Sequence, residues 1–362
     1  MRARIGAFLK PRTSAPAGRA PNRREGGVDL ARGLAVFGMF AAHVVATAPE
    51  FHWTDPASWS AAVNGNSSIL FAVLAGVSLG LLTGGSAPHA GVRLATDRRR
   101  TAVRAALIYA VGIALWLMPA PVYVILPAYG ILFLLALPLL SWRPRWLLAM
   151  AGAVAVVAPF VVAAIDHSDF WSSFEGAVVK DLTGWHYPFL AWIAFVAVGI
   201  AVARIGFDRP LTVLATGLIA AGISCAGFGV IGRFGVEALS SEPHTTGIGE
   251  MFGSGGLAVA VVCACVLVCR TPLTWIVWPV RVVGSMPLTA YAGQLIAWSV
   301  WIWAQDPPVD PIGGFHAVDP FWPMVLATVF FCCAWNLIVG RGPLEWAVGA
   351  ISTRAVRARL DG

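Results

Sequence analysis

Three ionisable residues stand in the first long apolar stretch of this chain, Asp29-Leu-Ala-Arg32-Gly-Leu-Ala-Val-Phe-Gly-Met39-Phe-Ala-Ala-His43. In a membrane helix such residues are rare, and they mark ion pairs, water-lined paths or chemistry. Asp29 and Arg32 are three apart, so they adjoin on one helical face. Arg32 and His43 are eleven apart, close to three full turns, and share that face. At about 1.5 Å per residue, His43 lies roughly 16 Å deeper than Arg32. An imidazole titrates near neutral pH and suits a general base. A guanidinium suits a phosphate or a carboxylate. The same spacing also serves a plain role, with Asp29–Arg32 as an interfacial anchor and His43 bonded to a neighbouring helix.

A second cluster runs His244-Thr245-Thr246, Glu250 and Ser254. Glu250 and Ser254 are four apart on one helix face. Gly253, Gly255 and Gly256 beside them permit close approach of a substrate or of another helix. The cluster reads either as acceptor binding and orientation of a base, or as a capped helix start with an acid at its positive end. Gln294, beside Tyr291 in a later apolar stretch, can bond a substrate carbonyl or a neighbouring helix. His186-Tyr187-Pro188 marks a loop-to-helix junction that can line a vestibule. His89, His167 and His316 read as solvated loop residues.

These residues must be positioned by membrane helices. Of the 362 residues, 58% are hydrophobic and 12% charged, with mean hydropathy +0.75. A soluble domain carries about twice that share of charge. Ten apolar stretches of spanning length occur, near 30–48, 66–83, 102–118, 122–140, 147–165, 187–204, 211–231, 253–270, 284–304 and 321–339. With ten spans and a cytoplasmic N-terminus, all basic residues but Lys180 and Arg233 fall on the cytoplasmic side, as the positive-inside rule requires. The fold expected is all-α, a polytopic helix bundle with both termini cytoplasmic. Residues 1–28 read as a disordered basic tail, 29–352 as the helical domain and 353–362 as a C-terminal tail. The +7 net charge follows topology and leaves no nucleic-acid footprint. Six cysteines sit in apolar runs without metal-ligand spacing, so no metal is expected. Tryptophans such as Trp59, Trp171, Trp185, Trp303 and Trp322 read as an interfacial belt.

The helix Asp29-x-x-Arg32-Gly-Leu-Ala-x-x-Gly38-Met39 resembles the entry helix of the transmembrane acyltransferase superfamily. The resemblance is closest to the DUF418/YeiB-like membrane proteins labelled heparan-α-glucosaminide N-acetyltransferase-like. Leu70-Phe-Ala-Val-Leu-Ala-Gly76-Val-Ser78-Leu, Gly253-Ser-Gly-Gly256, Met286-Pro-Leu-Thr-Ala-Tyr291 and Gly340-Arg-Gly-Pro343-Leu-Glu345-Trp346 carry it further. It spans Asp29 to about residue 352. Arg32 and His43 also match an Arg-then-His spacing in related membrane O-acyltransferases, whose histidine is the proposed base. In the heparan acetyltransferase proper, the key histidine instead precedes a Trp-Asn-Gly element in the first outer loop. His52 with Trp59 and Asn64-Gly65 is a stretched echo of it, so His43 and His52 stand as rival bases.

The resemblance implies a multi-pass protein of the bacterial cytoplasmic membrane. It would move an acetyl or other short acyl group from cytosolic acyl-CoA, acetyl-CoA foremost, to an extracytoplasmic acceptor such as a glycan. Asp29 and Arg32 would serve the CoA end. His43 or His52, with Glu250, would do the chemistry, and His244, Ser254, Gln294 and Tyr187 would meet the acceptor. The partners are then the bilayer and the acceptor, with homo-oligomerisation left open. The alternative is a small-molecule transporter or permease, for which polar residues in a bundle interior serve equally well.

Overall fold

A computed structural model of the chain describes residues 25–357 apart from 46–47, 49–50 and 53. Most of the expected N-terminal tail, residues 1–24, and the last five residues of the C-terminal tail lie outside the described residues. Among the described residues every regular element is helical. In chain order these are α1 (Gly26–Val44), α2 (Asn66–Leu82), α3 (Gly91–Trp116), α4 (Leu126–Leu135), α5 (Pro144–Asp166), α6 (Phe174–Thr183) and α7 (Phe189–Ile205). There follow α8 (Pro210–Gly229), α9 (Ile248–Val268), α10 (Trp278–Gly284), α11 (Pro287–Trp303), α12 (Gly313–His316), α13 (Phe321–Ile338) and α14 (Pro343–Arg357).

Six stretches are long and apolar enough to cross a membrane: α1, Ser58–Leu82 with α2, α5, Pro210–Phe234 with α8, α9 and α13. The other four expected stretches are helical too, but interrupted, short or charged. α3 opens on a basic half, from Arg93 to Arg104. α4 lasts ten residues before Pro138 heads a short 3-10 turn. The stretch near 284–304 is broken at Ser285-Met286, because Pro287 lacks the N–H that would continue α10 into α11.

Burial separates the inner helices from the outer ones. Two thirds of the α1 window is buried, against 17% for α8 and 11% for α13, whose apolar side chains point outward. α1 packs against α2, α9, α10 and α11, while α2 packs on α7 and α8 packs on α9. The crossing of α1 and α10 is at backbone contact. A Cβ on Gly284 would collide with the Asp29 carbonyl, and one on Gly33 with the Val280 carbonyl, so both sites need glycine.

Polar side chains stitch the end of the bundle that carries Arg32. Arg32 donates through Nη1 to Asp29 Oδ1 at 2.5 Å and to the Gly284 carbonyl at 3.2 Å, and through Nη2 to Ser78 Oγ at 3.3 Å. Arg204, buried on α7, gives hydrogen bonds to the carbonyls of Gly80, Thr83, Gly85 and Leu140 and to Thr83 Oγ1. It thereby ties the C-terminal end of α2 and the turn after it to Leu140. Glu345, in the first turn of α14, accepts from the Leu288 and Thr289 N–H groups and from the Thr289 hydroxyl, capping α11.

Candidate active site

At the opposite end of α1 the bundle opens a cavity of about 550 Å³. α1 brings Met39, Ala42 and His43 to it, and the turn before α2 brings Asn64 and Gly65. The segment before α4 contributes Tyr123 and Ile125, and the start of α7 contributes His186 and Tyr187. The loop before α9 supplies His244, Thr245 and Thr246, and α11 supplies Tyr291 and Trp298. Six separate elements therefore converge on one space.

His43 is half-buried in the last turn of α1. Its Nδ1 faces Gln294 Oε1 at 3.4 Å. That pairing fits the tautomer with the proton on Nδ1, which leaves the Nε2 lone pair free to accept one. Gln294 is 2% exposed and its Nε2 has no hydrogen-bond partner among the described residues. The backbone of His43 is held as well, because His316 Nε2 lies 3.0 Å from the His43 carbonyl. His316 is therefore a half-buried brace on α1, where its sequence context read as a solvated loop.

The loop before α9 is built around Glu250. Its Oε1 accepts the His244 N–H and its Oε2 the Thr246 N–H, each at 2.7 Å. Both carboxylate oxygens are thus engaged by backbone, and the loop takes an unusual shape, with φ of 65° at His244 and 58° at Thr246. Non-glycine residues in this region are uncommon and are held only by surrounding structure. The His244 ring lies 3.2 Å, Nε2 to Oδ1, from Asn64. Gly65, at φ 70°, fits under Pro243, where a Cβ would press on both Pro243 and Glu250.

An aromatic wall completes the cavity. His186 stacks on Tyr123 with ring centroids 3.6 Å apart, and its Nε2 lies 2.9 Å from Asp181 Oδ1. Burial draws the His186 imidazole below its ordinary value of 6.5, against the opposing pull of that hydrogen bond. Tyr187 donates to the Tyr123 carbonyl at 3.4 Å and meets the His244 ring edge-on at 6.4 Å. Trp185 donates to Asp166 Oδ1 at 2.7 Å. Lys180 and Asp166 also line the space.

The structure brings together His43, His244 and Tyr187, with Gln294 and Glu250 directly behind His43 and His244. His52 is exposed and does not line the cavity, and its backbone exchanges hydrogen bonds with Ser58. Ser254 is buried on α9 outside the lining. The glycines around it serve helix packing, with α8 lying against Gly253 and Gly256 and Phe195 against Gly255. Asp29 and Arg32 lie at the far end of α1. Sequence reading passed over the Tyr123–His186 stack and the brace from His316. Their partners are distant in sequence, so no local spacing signals them.

Comparison with known families covers the same ground. A family model described as heparan-alpha-glucosaminide N-acetyltransferase, catalytic, matches residues 24–234. A second, described as protein of unknown function (DUF418), matches residues 199–352. No individual curated protein matches the chain. The cavity draws on both matched regions, taking His43, Asn64 and His186 from the first and His244, Tyr291 and Trp298 from the second.

Proposed function

Because the chain belongs to the heparan-α-glucosaminide N-acetyltransferase catalytic family, we propose that it moves an acetyl or other short acyl group from cytosolic acyl-CoA to an acceptor on the far side of the bacterial cytoplasmic membrane. The acceptor is a glycan or a similar hydroxyl- or amine-bearing molecule. In this reading the ten helical stretches span the bilayer with both termini inside, which gathers the basic residues at the Arg32 end. The His43 cavity then opens outward.

One observation carries the proposal: a half-buried imidazole, oriented by Gln294, faces a cavity large enough for a substrate. His43 Nε2 takes the proton of the acceptor as that atom attacks the thioester carbonyl. At the donor end, Arg32 uses three of its five N–H groups on protein partners. Its remaining donors are available to a CoA phosphate, with Asp29 holding the guanidinium in place. Glu250 acts by fixing the loop that presents His244 to the acceptor, and the stacked Tyr123–His186 pair forms an aromatic shelf beside it.

Transport of a small polar molecule is the rival reading. The break between α10 and α11, beside the Arg32–Gly284 contact, is the observation in its favour. Purified protein in nanodiscs separates the two. With radiolabelled acetyl-CoA, the acyltransferase reading expects saturable binding and release of free CoA in the presence of an amino-sugar acceptor. His43→Gln lowers turnover by orders of magnitude and keeps binding, while His52→Ala stays active. Folded protein that neither binds nor consumes any acyl-CoA tested overturns the proposal.

A further inference from the structure

Three buried tyrosines, Tyr129, Tyr187 and Tyr291, have their hydroxyls placed differently. Tyr129 donates to the Ser68 carbonyl at 3.3 Å, and Tyr187 donates to the Tyr123 carbonyl at 3.4 Å. Tyr291 is different. Its Oη accepts the N–H of Ile125 at 3.4 Å, and its own proton goes to no protein acceptor among the described residues. Yet Tyr291 is 2% exposed, so bulk water is a poor alternative. A buried hydroxyl normally finds an acceptor.

The surroundings point to what fills that place. Tyr291 and Ile125 both line the cavity, and the Tyr291 ring centroid is 6.4 Å from that of His43. Ile125 is the residue immediately before α4, so its N–H belongs to the positive end of that helix. A hydroxyl that accepts from this N–H is polarised toward donation. Beside it lies a second polar group without a partner among the described residues, the Gln294 amide nitrogen, on the same helix and three residues on. A base and an undonated hydroxyl thus stand at one cavity wall, which is the composition needed to stabilise a developing oxyanion.

We propose that Tyr291 is a catalytic residue whose hydroxyl donates a hydrogen bond to the carbonyl oxygen of the acyl thioester, a claim that rests on the acyl-transfer reading above. The acceptor's nitrogen or oxygen lone pair attacks the thioester carbon and forms the new C–N or C–O bond. The carbonyl π pair moves onto oxygen, where the Tyr291 hydroxyl meets the negative charge without giving up its proton. His43 Nε2 takes the acceptor proton. The oxyanion pair then re-forms C=O, the C–S bond breaks with its pair on sulfur, and the thiolate takes the proton from His43. Acylated acceptor and CoA thiol are the products, and His43 and Tyr291 return to their starting forms.

Tyr291→Phe removes the hydroxyl and keeps the ring. In nanodiscs, kcat for acetyl transfer should fall about 10²–10³-fold, the usual cost of one oxyanion donor, while the Kd for acetyl-CoA stays within twofold of wild type. Tyr129→Phe, which removes a hydroxyl already given to a carbonyl, should leave kcat unchanged. Wild-type kcat in Tyr291→Phe, in the same preparation in which the wild type turns over, overturns the proposal. Absence of turnover in the wild type itself would instead remove the reading beneath it. Should Tyr291→Phe fail to fold, fluorotyrosine at position 291 retains the fold while strengthening the donor. A kcat that does not respond to it also overturns the proposal.

Discussion

The two ends of α1 use similar residues to opposite effect. At the Arg32 end, charged side chains close the structure. Arg32 binds three partners, Arg204 binds five acceptors on α2 and its neighbours, and Glu345 caps α11. At the His43 end, polar groups hold a space open. Glu250 commits both oxygens to one loop, Asn64 holds the His244 ring, and Gln294 and Tyr291 keep donors without acceptors among the described residues. Polar residues inside a membrane bundle do not by themselves mark a site. What distinguishes the His43 end is that its incompletely bonded groups stand beside a cavity.

Substitutions at the two ends should accordingly separate activity from stability. The largest effect is expected for His43→Gln, where turnover drops about 10²–10⁴-fold, the range for a lost general base. The thermal midpoint in detergent should stay near that of wild type. Arg204→Met should do the reverse. It leaves the Gly85 and Leu140 carbonyls without donors and lowers stability by about 3 kcal/mol, read as a lower midpoint with unchanged turnover per folded molecule. A full loss of activity in folded Arg204→Met would break the contrast.

Smaller effects sharpen it within the cavity. Glu250→Gln offers one oxygen where two are used, so either His244 or Thr246 loses its acceptor, at a cost of about 1–2 kcal/mol. Because Glu250 acts through the loop, KM for the acceptor should rise while kcat holds. A kcat loss with unchanged KM would make it a participant in the chemistry. The smallest effect concerns pH. The folded His186 titrates below its ordinary 6.5, so the unfolded chain takes up the proton first as pH falls. The stability from its neutral form is therefore present above pH 6.5 and lost progressively below it. Thermal midpoints between pH 7.5 and 5 should decline, and His186→Phe, which keeps the ring, should flatten that slope.

Much of this was legible in the chain itself. The spacing of Asp29, Arg32 and His43 on one face survives intact, because helical periodicity fixes it once a helix forms. The clustering of His244 with Glu250 at the start of α9 was legible for the same reason of proximity. Contacts between remote segments were not. Nothing in sequence says that Asn64 meets His244, that His316 braces His43, or that Tyr291 meets the start of α4. The glycines near Ser254 offered a substrate or a helix, and tertiary packing chose the helix. The break at Pro287 was hidden because the apolar run continues through it.

In the proposed acyl transfer, the two ends of α1 act together, with the donor bound at one and the acceptor at the other. Proteoliposomes with the Arg32 face outward test it most directly. Acetyl-CoA labelled in the acetyl group is added outside, and an amino-sugar acceptor is trapped inside. The expected result is label on the trapped acceptor, unlabelled CoA accumulating outside, and loss of both in His43→Gln. Intact labelled acetyl-CoA inside the vesicles, or label that never reaches the acceptor while the protein remains folded, would contradict it.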